Sequence, residues 1–440
     1  MSAVEAISDE KSSRKRVLVI AYYFPPMGLA GVQRTLKFVK YLPERGWEPI
    51  VLTIAPTGYF AQDFSLLEEA ESLGIRIVRT GSIDPTRAFT RGKQSPVVVK
   101  MPREPIRKVL NRLSQVFFIP DNKIGWKHAA LRSARKIIAA EKIDLIFATA
   151  PPYTDFLIGA KLKQATGLPL VIDYRDAWLD NPYHFYVTPF HRWIHSHLER
   201  HVLRSADKVV AINRRIKELL LRRYRFLRYE DVVIIPQGYD PADFQFQEPP
   251  VGQASRMRFT YAGTFYEDRS PRYFLLALKN VLDRRPEIRP RIEACFIGHF
   301  RAENLKLVRT LGLTDVVTVL GYKSHKETVQ CLVASDVLWL IIGKGRGKDM
   351  MSTGKLFEYI GARKPILGCV PNGVARSTIL ESGAGFVTDP YDVKGVEHAI
   401  LQLYGLWEKG ELPVPRKEFT ERYRRDLLTA ELARIFEFLT

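Results

Sequence analysis

Short β-branched runs alternate with helical patterns along most of this 440-residue chain, and no other feature constrains the fold as strongly. In the first half the runs are RVLVIAYYF, EPIVLT, IRIVRT, DLIFATA, PLVIDYRD, KVVAIN and DVVIIPQG, and in the second MRFTYAG, IEACFIG, VVTVLG, DVLWLII and KPILGCV. Helical patterns separate several of them. Strands that alternate with helices form parallel sheets covered on both faces. The sequence therefore predicts an α/β protein.

The periodicity disappears at the Pro-, Gly- and Gln-rich stretch FQFQEPPVGQAS. Length also favours two domains, because single cores rarely grow beyond about 250–300 residues. The pattern predicts a flexible tail over 1–15, an N-terminal domain over 16–243, a linker over 244–255, a C-terminal domain over 256–412 and a helical region over 413–440.

Composition indicates a globular protein, with 46% hydrophobic and 26% charged residues. The three cysteines, Cys295, Cys331 and Cys369, have no CxxC spacing, which argues against a disulfide framework or a zinc knuckle. No apolar run reaches the roughly 20 residues of a membrane span, and the N-terminus does not resemble a secretory signal. We expect a cytoplasmic protein.

The formal net charge of +19 calls for anionic partners. Residues 186–228 hold eleven Lys/Arg against three acids, and residues 91–112 hold seven against one. Both segments could dock on an anionic membrane, although a core-facing stripe with a solvated basic back explains 186–228 equally well. Neither segment resembles an RNA-recognition sheet or a helix-turn-helix, so we expect no nucleic acid partner.

The stretch HRWIHSHLERHVL places two pairs of histidines at i, i+4 spacing, His191 with His195 and His197 with His201. Such pairs can bind zinc, but the stretch lacks the HExxH pattern. We expect no metal site there.

Two glycine loops follow predicted strands, where open parallel sheets bind their ligands. In YYFPPMGLAGVQR, Gly28 and Gly31 allow backbone amides to approach an anion, or simply make the turn. In YAGTFYEDRSPR, Gly263 precedes Arg269 and Arg272, whose guanidinium groups could clamp a diphosphate or lie on a solvated surface.

The stretch DMMSTGKLFEYIG predicts a helix start with unusual chemistry. Ser352, Thr353 and Gly354 form the start, and Lys355 in the first turn opposes the helix dipole unless an anionic ligand binds there. Glu358 can accept hydrogen bonds from two sugar hydroxyls. The simpler interpretation is a glutamate favoured by the dipole near a helix start.

Together these stretches resemble the family 4 retaining glycosyltransferases of the GT-B fold, from about Arg16 to the end of the chain. The likeness implies two doubly wound Rossmann-like parallel-sheet domains facing across a cleft. In that family the glutamate matching Glu358 binds the ribose of a nucleotide-sugar, and the helix start matching Ser352–Lys355 meets its diphosphate. The loop matching Gly28–Arg34 belongs to the acceptor side and lies against the donor phosphates. The resemblance also implies a final helix that crosses back to the first domain and no requirement for metal.

Three positions depart from the family's pattern. Met350 stands where a second glutamate is common, with Asp349 beside it. Arg175 precedes Asp176 where many members have a histidine, so Asp176 becomes the candidate for orienting the acceptor or assisting its proton, with a salt bridge to Arg175 as the structural alternative. The usual arginine and lysine of the diphosphate clamp are missing after Gly263, which leaves Arg269 and Arg272 as substitutes.

The resemblance predicts a retaining hexosyltransferase that moves a sugar from a nucleotide-sugar to a glycan or lipid-linked acceptor, in polysaccharide or glycolipid assembly. We expect it in the cytoplasm, docked on the inner face of the membrane through 91–112 and 186–228. The alternatives are a nucleotide-sugar epimerase or phosphorylase, or a non-catalytic nucleotide-sugar binder, because a fold does not fix a reaction.

Overall fold

The computed structural model describes residues 14–28, 30–56, 62–83, 114–182, 184–245, 255–265 and 269–440. The chain divides into two compact units, the first made of Met1–Pro236 with Arg425–Thr440 and the second of Gln237–Arg424. The basic segment 91–112 and most of the predicted tail and linker lie outside the described residues.

The first unit contains a parallel seven-stranded sheet in the order β3-β2-β1-β4-β5-β6-β7. Its strands are β1 Lys15–Ile20, β2 Trp47–Ile54, β3 Arg76–Thr80, β4 Leu145–Ala150, β5 Leu170–Tyr174, β6 Lys208–Ala211 and β7 Val232–Ile234. Its main helices are α1 Ala30–Tyr41, α2 Phe64–Ser72, α3 Lys127–Ala140, α4 Thr154–Thr166, α5 Pro189–Ser205, α6 Arg214–Arg223 and, from the chain end, α14 Arg425–Leu439.

The second unit contains a parallel six-stranded sheet in the order β10-β9-β8-β11-β12-β13. Its strands are β8 Met257–Ala262, β9 Ile292–Ile297, β10 Val317–Gly321, β11 Val337–Ile341, β12 Ile366–Cys369 and β13 Gly385–Thr388. Its helices are α7 Arg272–Arg284, α8 Ala302–Thr310, α9 His325–Val333, α10 Gly354–Gly361, α11 Val374–Glu381, α12 Val393–Glu408 and α13 Lys417–Glu421. The predicted pair of parallel-sheet α/β domains is confirmed.

Each sheet is buried most deeply at its centre. Every residue of β4, β5 and β11 is buried, as expected for strands covered by helices on both faces. In the second unit the indole of Trp339 stacks on Phe274 of α7 at 4.6 Å between ring centroids. These apolar contacts stabilise the sheet, and the polar groups described below lie at the carboxyl ends of its strands.

The unit boundary falls at Pro236, seven residues before the predicted end of the first domain at 243. Residues 237–244 pack with the second unit, because the amide of Tyr239 donates to the carbonyl of Tyr423 at 2.9 Å. The Tyr239 ring also packs against Gly361, where a Cβ atom would lie 2.6 Å from the ring.

The predicted helical region over 413–440 contains two helices, α13 and α14, with Arg422–Arg424 as the break. Only α14 belongs to the first unit. Its Phe436 is fully buried and contacts Trp47 and Phe147, with ring centroids 5.2 and 5.6 Å away. Burial of this apolar face holds the chain end on the first sheet.

Candidate functional site

The strand order of the second sheet reverses at β8 and β11, which pair directly with each other. Open α/β sheets bind ligands outside the carboxyl ends of their strands at such a switch point. Two of the predicted stretches meet this condition, since Gly263 follows β8 and the residues that lead into α10 follow β11.

Lys355 lies directly against Gly263. Its ammonium donates a hydrogen bond to the Tyr261 hydroxyl at 3.0 Å and lies 4.5 Å from the centre of that ring. A Cβ atom on Gly263 would lie 1.8 Å from the Lys355 Nζ, and the φ of Gly263 is +138°. Only glycine meets both conditions. The structure thus brings together two residues that are 92 positions apart in the sequence.

Tyr261 is the buried residue that the Lys355 ammonium contacts. The residue is 1% exposed, and its ring stacks on Phe265 at 4.3 Å. Burial raises the pKa of Tyr261 to about 12, and the positive charge of Arg269 opposes that shift. The phenol therefore stays protonated at neutral pH and can accept the hydrogen bond from Lys355.

Glycines also stand at the carboxyl ends of β9 and β10, on one side of β8. Gly298 follows β9 with a φ of +112°, and a Cβ atom there would lie 2.7 Å from the Gly263 carbonyl oxygen. The Gly298 amide donates to Gly321 at the end of β10, at 2.6 Å. Close backbone approach at this edge requires Gly298, which the sequence analysis did not single out. The signal was present, because IEACFIG and VVTVLG both end in glycine.

The start of α10 has no side-chain cap. Thr353 is the N-cap residue, but its side chain accepts no capping hydrogen bond, and its buried Oγ1 has no partner in the described part of the chain. No acid occupies the first turn. Five other helix starts are capped by the side chains of Asp63, Thr188, Asn213, Ser324 and Asp392, whereas α3, α4, α7, α8, α11 and α13 also start without a side-chain cap. Uncapped amides and the helix dipole together favour an anion near Ser352–Lys355.

Glu358 lies one turn into α10 with its side chain 14% exposed. One carboxylate oxygen is 3.8 Å from Nδ1 of His325, and Nε2 of His325 is 3.0 Å from a carboxylate oxygen of Asp243. His325 is the first residue of α9, whose start is fixed by a capping box of Ser324 and Glu327. The imidazole therefore links two carboxylates, and the sequence analysis missed both His325 and Asp243.

The two candidate arginines after β8 occupy different environments. Arg269 is 7% exposed, with its charge close to Tyr261. Arg272 is the exposed first residue of α7. Residues 266–268 lie outside the described part of the chain. Because Arg269 is buried close to Tyr261, which contacts Lys355, it is the stronger candidate of the two for binding a diphosphate.

Met350 lies at the end of a 3-10 turn, Lys348–Met350, in the connection from β11 to α10. The backbone of Asp349 packs tightly against Gly373, where a Cβ atom would lie 2.2 Å from the Asp349 carbonyl oxygen. Gly373 precedes α11 and is a further residue that the sequence analysis missed. It fixes the loop that carries Asp349 and Met350.

In the first unit, Arg34 is fully buried and does not reach a surface. Its guanidinium forms a bidentate ion pair with Asp173 on β5, with a shortest distance of 2.7 Å. It also donates to the carbonyl oxygens of Ile235 and Pro236. This geometry argues against the phosphate-loop role predicted for Arg34 and favours a structural one.

Arg175 and Gly31 contact each other. The guanidinium donates to the carbonyl oxygens of Gly31 at 2.8 Å, Ala150 at 3.1 Å and Pro151. A Cβ atom on Gly31 would lie 2.5 Å from Nη1 of Arg175. Gly31, the second residue of α1, therefore makes room for an arginine here, and Gly28 is buried in the loop before that helix.

Asp176 is exposed directly after Arg175, beyond the carboxyl end of β5. The Tyr153 hydroxyl lies 3.4 Å from its backbone oxygen, and the Tyr153 ring stacks on Trp178 at 4.4 Å. The backbone of Asp176, an exposed residue, is thus held next to a buried aromatic pair. Its role in orienting an acceptor stays a prediction.

The histidine-rich helix is α5, and its histidines make separate contacts. The Trp178 indole donates to Nδ1 of His195 at 3.0 Å, and burial lowers the pKa of His195 to about 3. His197 donates to the Trp193 carbonyl oxygen at 2.9 Å, and His191 pairs with Thr188 at 2.8 Å. These contacts favour structural roles.

Every helix in the described ranges is too short or too polar to cross a bilayer.

Comparison with known proteins extends these observations. Residues 31–243 match the family model described as Glycosyltransferase Family 4. Sucrose-phosphate synthase from Thermosynechococcus elongatus aligns with a TM-score of 0.62 and 14% identity, over 97% of this chain and 99% of that one. Anabaena Alr3699/HepE in complex with UDP-glucose gives 0.62 and 16%, over 96% and 100%.

A UDP-N-acetylglucosamine 2-epimerase also aligns, with a TM-score of 0.54 and 11% identity, over 97% of this chain and 96% of that one. No curated protein sequence is matched. At these identities the solved structures establish a shared two-domain GT-B fold.

Proposed function

We propose that this chain, which has the GT-B fold and whose residues 31–243 match the model of glycosyltransferase family 4, is a glycosyltransferase that moves a sugar from a nucleoside diphosphate sugar with retention of anomeric configuration. The observation that carries the proposal is the Lys355 ammonium, held against Gly263 at the switch point of the second sheet beside the uncapped start of α10.

The second unit binds the donor in this account. The diphosphate accepts hydrogen bonds from the Lys355 ammonium and from amides at the start of α10, around Ser352–Gly354. Glu358, three residues further along the same helix, accepts hydrogen bonds from two ribose hydroxyls. HepE, whose fold is similar, was solved in complex with UDP-glucose, which supports a nucleotide-sugar as the donor class.

Transfer requires stabilisation of the departing nucleoside diphosphate and of a positively charged sugar centre. The fixed cation and the helix dipole stabilise the leaving diphosphate, and they need no reorganisation as its charge develops. In a front-face retaining reaction the leaving phosphate oxygen takes the acceptor's proton, so no protein nucleophile is needed. Asp176 orients the acceptor hydroxyl or assists that proton transfer. We expect activity without a bound metal.

The acceptor in this proposal is a glycan or a lipid-linked sugar at an anionic membrane surface on the cytoplasmic side, as in polysaccharide or glycolipid assembly. Phe190 and Trp193 on α5 are 64% and 55% exposed, and their rings stack at 5.7 Å. Phe185 and Phe117 are also exposed. Exposed aromatic rings on a basic helix are typical of membrane-surface contacts.

The direct test is product analysis with UDP-, GDP-, ADP- and CDP-sugars. The account expects one donor to release its nucleoside diphosphate, more quickly when a lipid-linked acceptor is present, and the released or transferred sugar to keep its anomeric configuration. Glu358→Ala should abolish this at subsaturating donor. Inversion of the configuration, or no turnover of any donor by a folded protein, would contradict the proposal.

A nucleotide-sugar epimerase is the second candidate, because an epimerase shares the fold over most of its length. The same experiment separates the two reactions. An epimerase converts the sugar while it is attached to the nucleotide and needs no acceptor, whereas a transferase leaves the unreacted donor unchanged.

A further inference from the structure

A groove of about 540 Å³ opens on the surface of the first unit where α3 and α4 pack together. Five of the six residues that line it are basic, and none is acidic. The lining residues are Lys127, His128, Leu131, Arg132, Arg135 and Lys161. Leu131 is buried and forms the floor, while His128, Arg132, Arg135 and Lys161 are exposed.

The basic side chains form a row along one face of α3. His128, Arg132 and Arg135 stand at i, i+4 and i+7, so they project from the same side of the helix over about 10 Å. Lys161 faces them from α4, and its ammonium also donates to Gln164 at 3.0 Å. A row of this length matches a ligand with more than one anionic group.

Several other basic residues of the first unit have carboxylate partners. Lys37 and Lys40 share Glu69, Lys163 pairs with Asp207, and no distance in these pairs exceeds 2.9 Å. Around the groove, by contrast, no described carboxylate lies within salt-bridge distance of the lysines and arginines. Unneutralised like charges repel each other, and a bound anion would relieve that repulsion.

The groove lies away from the carboxyl ends of the strands in the first sheet, where Asp176 is proposed to act. Lys161 lies seven residues beyond Thr154, the first residue of α4, which follows the carboxyl end of β4. Seven residues of helix span about 10 Å, so Lys161 lies well along the outer helix layer. Substrates of open parallel sheets bind at the strand ends rather than on this layer.

The geometry points to a binding site for a ligand that carries two or more phosphate groups. Arg132 and Arg135 provide planar guanidinium forks that bind phosphate oxygens in pairs, and Lys127 and Lys161 add charge from either side. A soluble polyphosphorylated molecule and a phospholipid headgroup both present this chemistry. The site does not depend on the proposed sugar transfer.

The test measures binding of two probes to the full chain. The soluble probe is tripolyphosphate, titrated by calorimetry, and the membrane probe is a phosphatidylcholine vesicle with or without cardiolipin, which carries two phosphates. The variant is Arg132→Gln with Arg135→Gln. The matched control is Lys136→Gln with Lys142→Gln, which removes two charges from exposed positions on α3 and just after it, outside the groove. Each titration is repeated with Lys355→Ala, so that binding at the donor site is recognised.

We expect the arginine variant to bind at least one probe tenfold or more weakly, and the lysine control and Lys355→Ala to retain that binding. Loss for tripolyphosphate identifies a soluble ligand, and loss for cardiolipin vesicles alone identifies a lipid headgroup. Equal binding by wild type and the arginine variant, or an equal loss in the lysine control, would overturn the proposal. All four residues are exposed, so unchanged thermal unfolding is expected, and single Arg135→Gln serves if the double variant does not fold.

Discussion

The first sheet reverses its strand order at β1 and β4, and the second reverses at β8 and β11, so the two units have equivalent switch points. At the first, Arg175 is 6% exposed and donates three hydrogen bonds, to the carbonyl oxygens of Gly31, Ala150 and Pro151. At the second, the Lys355 ammonium rests on a neutral phenol beside a helix start without a side-chain cap.

The difference between the two units lies in the groups that contact the two cations. In both units a glycine makes room for a basic side chain, Gly31 for Arg175 and Gly263 for Lys355. In the first unit backbone carbonyls accept the guanidinium's hydrogen bonds, which stabilises the loop. In the second a neutral hydroxyl supports the ammonium, which leaves its charge uncompensated by that partner.

The largest effect should come from breaking the buried ion pair of the first unit. Arg34→Ala leaves the Asp173 carboxylate buried without its partner, so we expect the free energy of unfolding to fall by about 3–5 kcal/mol. Chemical denaturation measures this. A folded Arg34→Ala protein of normal stability that no longer bound the sugar nucleotide would reverse the assignment and make Arg34 a ligand residue.

The two glycines give a matched pair. Gly263→Ala places a Cβ atom 1.8 Å from the Lys355 Nζ and should weaken binding of the nucleoside diphosphate tenfold or more, a loss of about 1.4 kcal/mol or greater. Gly31→Ala, with its Cβ atom 2.5 Å from Arg175, should lower stability and leave nucleotide affinity unchanged. Calorimetric titration of both folded variants decides the comparison, and the opposite pattern would exchange the roles of the two glycines.

The buried His195 of the first unit predicts that the free energy of unfolding depends on pH. The pKa of His195 is about 3 in the folded chain, below its usual value of about 6.5, so between these pH values the unfolded chain binds a proton that the folded chain does not. The contribution of His195 to stability is therefore fully present above about pH 6.5 and is lost as pH drops towards 3, by at most about 1.4 kcal/mol per pH unit. Denaturation curves of His195→Gln should show a shallower loss than wild type, and parallel curves would disprove it.

The smallest effect concerns how Glu358 is held. His325→Ala should weaken nucleoside diphosphate binding by about 0.5–1.5 kcal/mol, because the imidazole that links Glu358 and Asp243 positions the carboxylate. A double-mutant cycle with Glu358→Gln measures the coupling. If the His325 effect persisted in full without the carboxylate, the positioning role would be wrong.

The strands, helix starts and site residues that depend on local sequence pattern could be predicted. Strand runs such as DLIFATA and helix starts such as Gly354 follow from periodicity. Gly263 and Lys355 were recognisable because Gly263 follows a predicted strand and Lys355 lies in the first turn of a predicted helix. Contacts made between distant segments could not be read in this way. Nothing local in the sequence shows that Asp173 neutralises Arg34, or that His325 and Asp243 approach Glu358, since these pairs depend on how strands and helices pack.

The most direct measurement is thermal unfolding with UDP, GDP, ADP and CDP separately, for wild type, Lys355→Ala and Lys394→Ala. Lys394 is the matched control, because it is also the second residue of a helix in the same unit, but α12 is capped by Asp392. The account predicts that one nucleotide stabilises wild type and Lys394→Ala by about 2.7 kcal/mol at a hundred times its dissociation constant, and stabilises Lys355→Ala much less. Equal stabilisation of all three proteins would show that Lys355 does not bind the diphosphate and would contradict the account.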